Sequence, residues 1–275
     1  MARDGFEFAT ITEVGERLRD GSVTSVALTE LMLERIQALD PKLNAFITVT
    51  GKLALEQAQR ADEALSRGLD RGALHGVPIA LKDLIATRGV RTTAGTKHYD
   101  RVPEEDAPVV RRLADAGAVL LGKTGLHELA FGSTSNNPHF GAIHNPWQLS
   151  HHPGGSSGGS AVAIAAGLAY AVLGTDTGCS IRQPAQCCGI VGHKPTFGLV
   201  SKRDIVPLVW SLDHVGPLTR SVRDAALVLQ VIAGFDPADP YSVDRTPEDY
   251  VTGIDQSIAG AVVGVPRPFF FEGGD

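Results

Sequence analysis

Three hydroxyls and one amine are the groups in this chain best suited to acyl chemistry. Ser156 and Ser157 lie in a glycine-rich run, Pro153-Gly-Gly-Ser-Ser-Gly-Gly-Ser160, and Ser180 closes a second run, Gly174-Thr-Asp-Thr-Gly-Cys-Ser180. A serine hydroxyl attacks a carbonyl only when a neighbour takes its proton, usually a histidine fixed by a carboxylate. Neither glycine turn carries such a histidine. A lysine can do the same work where burial disfavours its charged form, which lowers its pKa by up to roughly 3–5 units. Lys82 is the candidate, because it ends the apolar run Leu74-His-Gly-Val-Pro-Ile-Ala-Leu-Lys82-Asp83. The competing reading of that spacing is a surface lysine paired with Asp83.

These groups need elements to hold them. Residues 160–166 read as a short helix with Ser160 at its start and Gly167 at its end. Residues 168–173 read as a buried strand that leads into a second turn over 174–180. Loop, helix, strand and loop return the chain toward its start, which brings Ser156 or Ser157 beside Ser180. Residues 77–81 read as a core strand that presents Lys82 and Asp83 at its end, where a site stays accessible while the strand stays fixed. Upstream, helices are expected over 11–18 and 25–39, the latter closing before Pro41, then a strand over 44–49 and a helix over 52–65. They form an N-terminal helical arm over about residues 8–66, with a core from about 72 to 275, in a single domain. Further on come a helix over 106–116, a strand over 118–121, a turn from Gly216 into a helix over 221–233, and a strand over 261–265. No internal repeat or long linker interrupts them.

Other motifs fail on their context. Gly117-Ala-Val-Leu-Leu-Gly-Lys-Thr124 satisfies the phosphate-loop pattern, but a helix precedes it and strand formers fill its middle. Gly154-Gly-Ser-Ser-Gly158 satisfies G-x-S-x-G, yet no strand leads into it, and Asp213 and His214 are adjacent rather than separated as that triad requires. His127-Glu128 lacks the second histidine of H-E-x-x-H, and no metal site is expected. A net charge of −6 argues against a nucleic-acid footprint. The amino terminus has no apolar secretory core and no apolar run has the length of a membrane span. Three cysteines, Cys179, Cys187 and Cys188, fit reduced thiols better than a disulfide framework.

Six segments, in chain order, resemble the amidase signature family: GVPIALKDLI, GSTSNNPHFGAIHNPW, PGGSSGGSA, GTDTGCSIRQPA, CGIVGHKPTFG and SLDHVGPLTRSVRDAA. The resemblance implies an α/β fold, a large mixed β-sheet flanked by helices, with the C-terminal part of the family fold absent from this chain. It makes Lys82 the base, Ser156 a bridging serine on a cis peptide after Gly155, and Ser180 the acylated nucleophile. It assigns the backbone amides of Thr177, Gly178 and Cys179, with that of Ser180, to an oxyanion hole, and makes Ser157, Asp176 and Arg182 supporting residues. The backbone of Gly132 to Asn137 would line the acyl site. The chain departs from the family at Cys179, where a glycine is usual.

The implied reaction is hydrolysis of a carboxylic amide to acid plus ammonia or amine, through a Ser180 acyl-enzyme and without metal or organic cofactor. GSTSNNPHFG and KDLI resemble stand-alone amidases more than the A-type component of a tRNA-dependent amidotransferase, which is the alternative. An inactive fragment or pseudo-enzyme is the alternative from another class. The expected partner is a small amide, with no membrane, a cytoplasmic setting, room for a homodimer, and nucleic acid only for the amidotransferase.

Overall fold

The computed structural model describes residues 5–265. The first helix, α1 (Ile11–Arg19), is set by a capping box: Thr10 Oγ1 accepts the Glu13 N–H and the Glu13 carboxylate accepts the Thr10 N–H. Next, α2 (Ser25–Leu43) runs through Pro41 instead of stopping before it. Proline removes one intrahelical bond, but Asn44 N–H donates to Asp40 O at 2.8 Å and the Asp40 carboxylate takes Ala45 N–H at 2.6 Å. Asn44, at φ 54°, caps the helix rather than opening the expected strand, so β1 is Phe46–Val49.

After α3 (Gly51–Ser66) come β2 (Pro78–Lys82), α4 (Pro108–Asp115) and β3 (Val119–Thr124). A small hairpin, β4 (Asn136–Asn137) with β5 (Gly141–Ala142), precedes α5 (Gly158–Ala165) and β6 (Ala171–Asp176). The described elements end with α6 (Arg182–Cys188), β7 (Val191–Gly192), β8 (His214–Thr219) and α7 (Val222–Ile232).

Six strands form one sheet in the order β1-β3-β2-β6-β8-β7. At its centre β2 runs parallel to both β3 and β6, while β1 and β8 pair antiparallel with their neighbours. The result is a mixed sheet in an α/β architecture. Every residue of β2, β3 and β6 is buried, as befits strands covered on both faces. Here α3 packs on β3, α5 on β6 and α7 on β8.

Four further expectations need correction. The helix behind the glycine-rich run starts at Gly158, and Ser160, instead of capping it, is buried and bonded to Thr124 Oγ1 at 2.8 Å. The following strand is shifted, running to Asp176 with Gly174 inside it, because β8 holds it in a six-residue ladder from Ala171↔Thr219 to Asp176↔His214. Gly216 therefore lies in a strand, not a turn. A side chain at Gly174 would put its Cβ 2.7 Å from Leu218 and 2.9 Å from Ser157 Oγ. Residues 261–265 form no strand and are exposed. An apolar run becomes a strand only with a neighbour to pair with, and that run has none among the described residues.

Candidate active site

The central strand β2 carries Lys82 at its last position, and the side chain is wholly buried. Lys82 Nζ lies 2.7 Å from Ser156 Oγ and 2.8 Å from Thr175 Oγ1. Burial pushes its pKa down from 10.5 to about 7, against the pull of the Asp176 and Asp213 charges. It is not paired with Asp83. That carboxylate turns away to accept the Thr93 N–H and hydroxyl, and faces Lys123 Nζ at 3.9 Å.

Lys123 is a second buried amine, donating to Ile85 O, Thr92 Oγ1 and Thr87 Oγ1 at 2.5, 2.8 and 3.2 Å, with its pKa lowered by burial to about 8. Gly122, Lys123 and Thr124 all lie inside β3, so the phosphate-loop pattern has no open loop to act through.

The peptide between Gly155 and Ser156 is cis. Its surroundings admit no side chain at residue 155, where a Cβ would meet Gly132 O and the Ser133 carbonyl carbon at 2.9 Å. The Gly132–Asn137 segment thus packs directly on the serine-bearing turn. Ser135, at φ 57°, donates to Gly154 O at 2.8 Å and accepts from Gly158 N–H at 3.1 Å. No strand precedes Ser156, so the geometry of a nucleophile elbow is absent.

The Ser180 turn adjoins this one. Ser157 N–H donates to Ser180 O at 3.2 Å, and Ser157 Oγ donates to Thr175 O at 3.2 Å. Asp176 is fully buried and binds the turn from inside, accepting from Ile181 N–H at 3.0 Å, Arg182 N–H at 3.3 Å and the Arg182 guanidinium at 2.9 and 3.1 Å. Against the cost of burial, those donors hold its carboxyl below the usual carboxylate range. Arg182 also ties Gly178 O at 2.6 Å.

Among the described residues the N–H groups of Thr177, Gly178, Cys179 and Ser180 donate to no protein acceptor. Four backbone donors in one tight turn can receive a single anionic oxygen. Cys179 is not among the residues with positive φ, so a side chain fits there without a glycine-only backbone. All three cysteines are free, and burial pushes the Cys188 thiol up to about 12.

Three partners went unread in the sequence. Thr175 is the second contact of Lys82. Gln183 Oε1 accepts the Gly155 N–H at 3.1 Å, linking α6 to the cis peptide. Asp213 accepts the Thr177 hydroxyl at 2.5 Å and the Leu208 and Val209 N–H groups at 2.9 and 3.0 Å, anchoring the rim beside the Ser180 turn. Gln183 and Asp213 lay inside segments already singled out, but only the folded chain reveals whom they touch.

Comparison with known proteins bears on the family and the fold. The family described as Amidase matches residues 27–275. A curated relative from Carboxydothermus hydrogenoformans, the A-type component of its glutamyl-tRNA(Gln) amidotransferase, is 46% identical over 269 residues, which is 98% of this chain and 56% of that protein. The chain thus spans about half the length of such relatives. Among solved structures, the native peptide amidase of Stenotrophomonas maltophilia superposes with a TM-score of 0.84 at 42% identity, covering 90% of this chain and 52% of that one. A chain from a vestigial protein complex linked to the origins of an s-triazine catabolic enzyme reaches 0.90 at 40% identity, covering 92% and 56%. With a mixed sheet of this kind and a family match over most of its length, the chain belongs to the amidase signature family.

Proposed function

We propose that the chain carries an amide-cleaving site in which Ser180 is the nucleophile and Ser156 and Lys82 relay its proton. The observation that supports this reading is the fully buried Lys82 amine 2.7 Å from Ser156 Oγ, with its pKa brought near neutrality. A neutral amine accepts the Ser156 proton while Ser156 accepts that of Ser180, and Ser180 Oγ bonds to the amide carbon. The carbonyl oxygen takes up the negative charge beside the N–H groups of residues 177–180, where the loss of one donor costs about 3–4 kcal/mol in other enzymes. As the C–N bond breaks, Ser156 protonates the leaving nitrogen and is reprotonated from Lys82. Water then releases the acid by the same relay. The chemistry needs no cofactor, and a cytoplasmic setting suits it.

The curated relatives favour one version of this reaction, that of the A-type component of a glutamyl-tRNA(Gln) amidotransferase, over the stand-alone amidase suggested by GSTSNNPHFG and KDLI. In that version the leaving nitrogen is ammonia passed to partner proteins. Labelling with a serine-directed fluorophosphonate, located by peptide mass spectrometry, tests the relay. Label on Ser180 that is lost in Lys82→Ala and Ser156→Ala is expected, whereas label on Ser156 would overturn the assignment. Full turnover of a primary amide by the purified chain alone would remove the amidotransferase version.

A further inference from the structure

A second pocket opens at the opposite end of β2 from Lys82, separated from it by a strand on the order of 15 Å long. Its lining includes Gln57 and Arg60 of α3, Arg71 and His75 of the loop before β2, and Gly117 at the approach to β3. His75 is buried, with its side chain 2% exposed. The Arg71 N–H donates to His75 Nδ1 at 3.1 Å, so in the neutral ring the proton sits on Nε2. Among the described residues Nε2 has no hydrogen-bond partner, and its ring lies against Gly117, where a Cβ would fall 2.4 Å from His75 Cδ2.

Gln57 gives its carbonyl oxygen to Leu120 N–H at 2.8 Å, which leaves its amide NH2 as a donor. The guanidinium groups of Arg60 and Arg71 make no ion pair or hydrogen bond among the described residues. Asp70, beside Arg71 in the chain, is taken by the Arg19 guanidinium at 2.8 and 3.1 Å, though one oxygen lies 3.7 Å from His75 Nδ1. The pocket therefore presents two unpaired cations, an imidazole N–H and an amide NH2, in a chain whose net charge is −6.

We propose that this pocket binds a phosphoryl group, as free phosphate or a small monoester. Arginine forks match the several oxygens of a tetrahedral oxyanion better than a single ammonium would. A volume of about 180 Å³ falls below the roughly 300–1,000 Å³ of sites that enclose larger ligands, which points to a small ligand.

The test is a titration of the intact chain with inorganic phosphate and, separately, with glycerol phosphate, at ionic strength held constant with chloride. Nitrogen-15 NMR of His75 is the readout. A saturable shift of the His75 Nε2 resonance is expected, weakened about tenfold or more in Arg60→Gln with Arg71→Gln. Both arginines are exposed, so circular dichroism should show that variant folded and melting as the parent does. Response to phosphate alone marks a free-ion site and a response to both marks an organophosphate site; either supports the proposal. No saturable shift beyond that in chloride, or binding unchanged in the double variant, overturns it.

Discussion

An amine sealed from water without a carboxylate in contact is unfavourable for folding, and Lys82 is held in that state. It forms no ion pair among the described residues, its only hydrogen-bond partners being two hydroxyls. In the proposed relay the neutral form is the base, so kcat/KM should rise with pH through an apparent pKa near 7. A rate flat from about pH 5 to 9 would contradict that assignment. The same shift has a stability consequence. Below about pH 7 both folded and unfolded chains carry the proton, and the folded state bears the whole penalty. Between about 7 and 10.5 the unfolded chain binds a proton that the folded one does not, so stability rises with pH across that window. Lys82→Met should therefore abolish labelling of Ser180 yet stabilise the fold, by on the order of a few kcal/mol near pH 6 and by progressively less toward pH 10. Urea midpoints at the two ends of the range would measure it. Burial of Lys82 was legible in the sequence, since five apolar or small residues lead directly into it. Its second hydroxyl partner was not, because Thr175 is brought to it only by the parallel pairing of β2 with β6.

At the scale of elements, α5 sets where Ser156 and Ser157 stand, and its docking depends on a missing side chain. A Cβ on Gly159 would fall 2.5 Å from Ala45 O and 2.6 Å from both Gly125 N and O. Backbone on both sides cannot yield cheaply. Gly159→Ala should thus cost about 1–3 kcal/mol or more by thermal or urea unfolding, with Ser180 labelling slowed as the helix shifts. Gly178 is the contrast, since a Cβ there meets nothing within 4 Å. Gly178→Ala should leave stability within about 0.5 kcal/mol, and a large loss would mean that the turn is packed differently. The sequence exposed elements unevenly for a physical reason. Helices α1, α3 and α7 were read to within a residue or two because their apolar spacing and caps are local. Strand β8 was missed because Gly216 and Pro217 interrupt it, and those residues sit in the sheet only through pairing with Gly174 and Leu173. Strand β6 was displaced for the same cause.

Across the whole molecule the N-terminal arm is tied to the core by bonds of very long sequence range. Arg220, ahead of α7, donates to Ala9 O at 2.8 and 3.2 Å and to Ile164 O and Ala169 O at 3.2 and 3.0 Å, linking the arm, α5 and the approach to β6. The Asp224 carboxylate accepts the Ile11 N–H at 3.0 Å, so one helix start caps another across the chain. On the other side Ser25 Oγ donates to Gly76 O at 2.7 Å, and Arg35 holds Gly167 O and Ala166 O, each at 2.8 Å. Such bonds offer the arm few ways to detach while the sheet survives, and we propose that arm and core fold as a single domain. Calorimetry should then give one transition with equal calorimetric and van't Hoff enthalpies. Arg220→Leu removes the guanidinium from Ala9 O and Ala169 O, while Ile164 O keeps the Gly167 N–H at 3.2 Å; at about 1 kcal/mol or more for each lost donor, the variant should lower that single transition by several degrees. If the variant instead melted in two steps, with the arm lost first and Ser180 labelling intact between them, arm and core would be separate units.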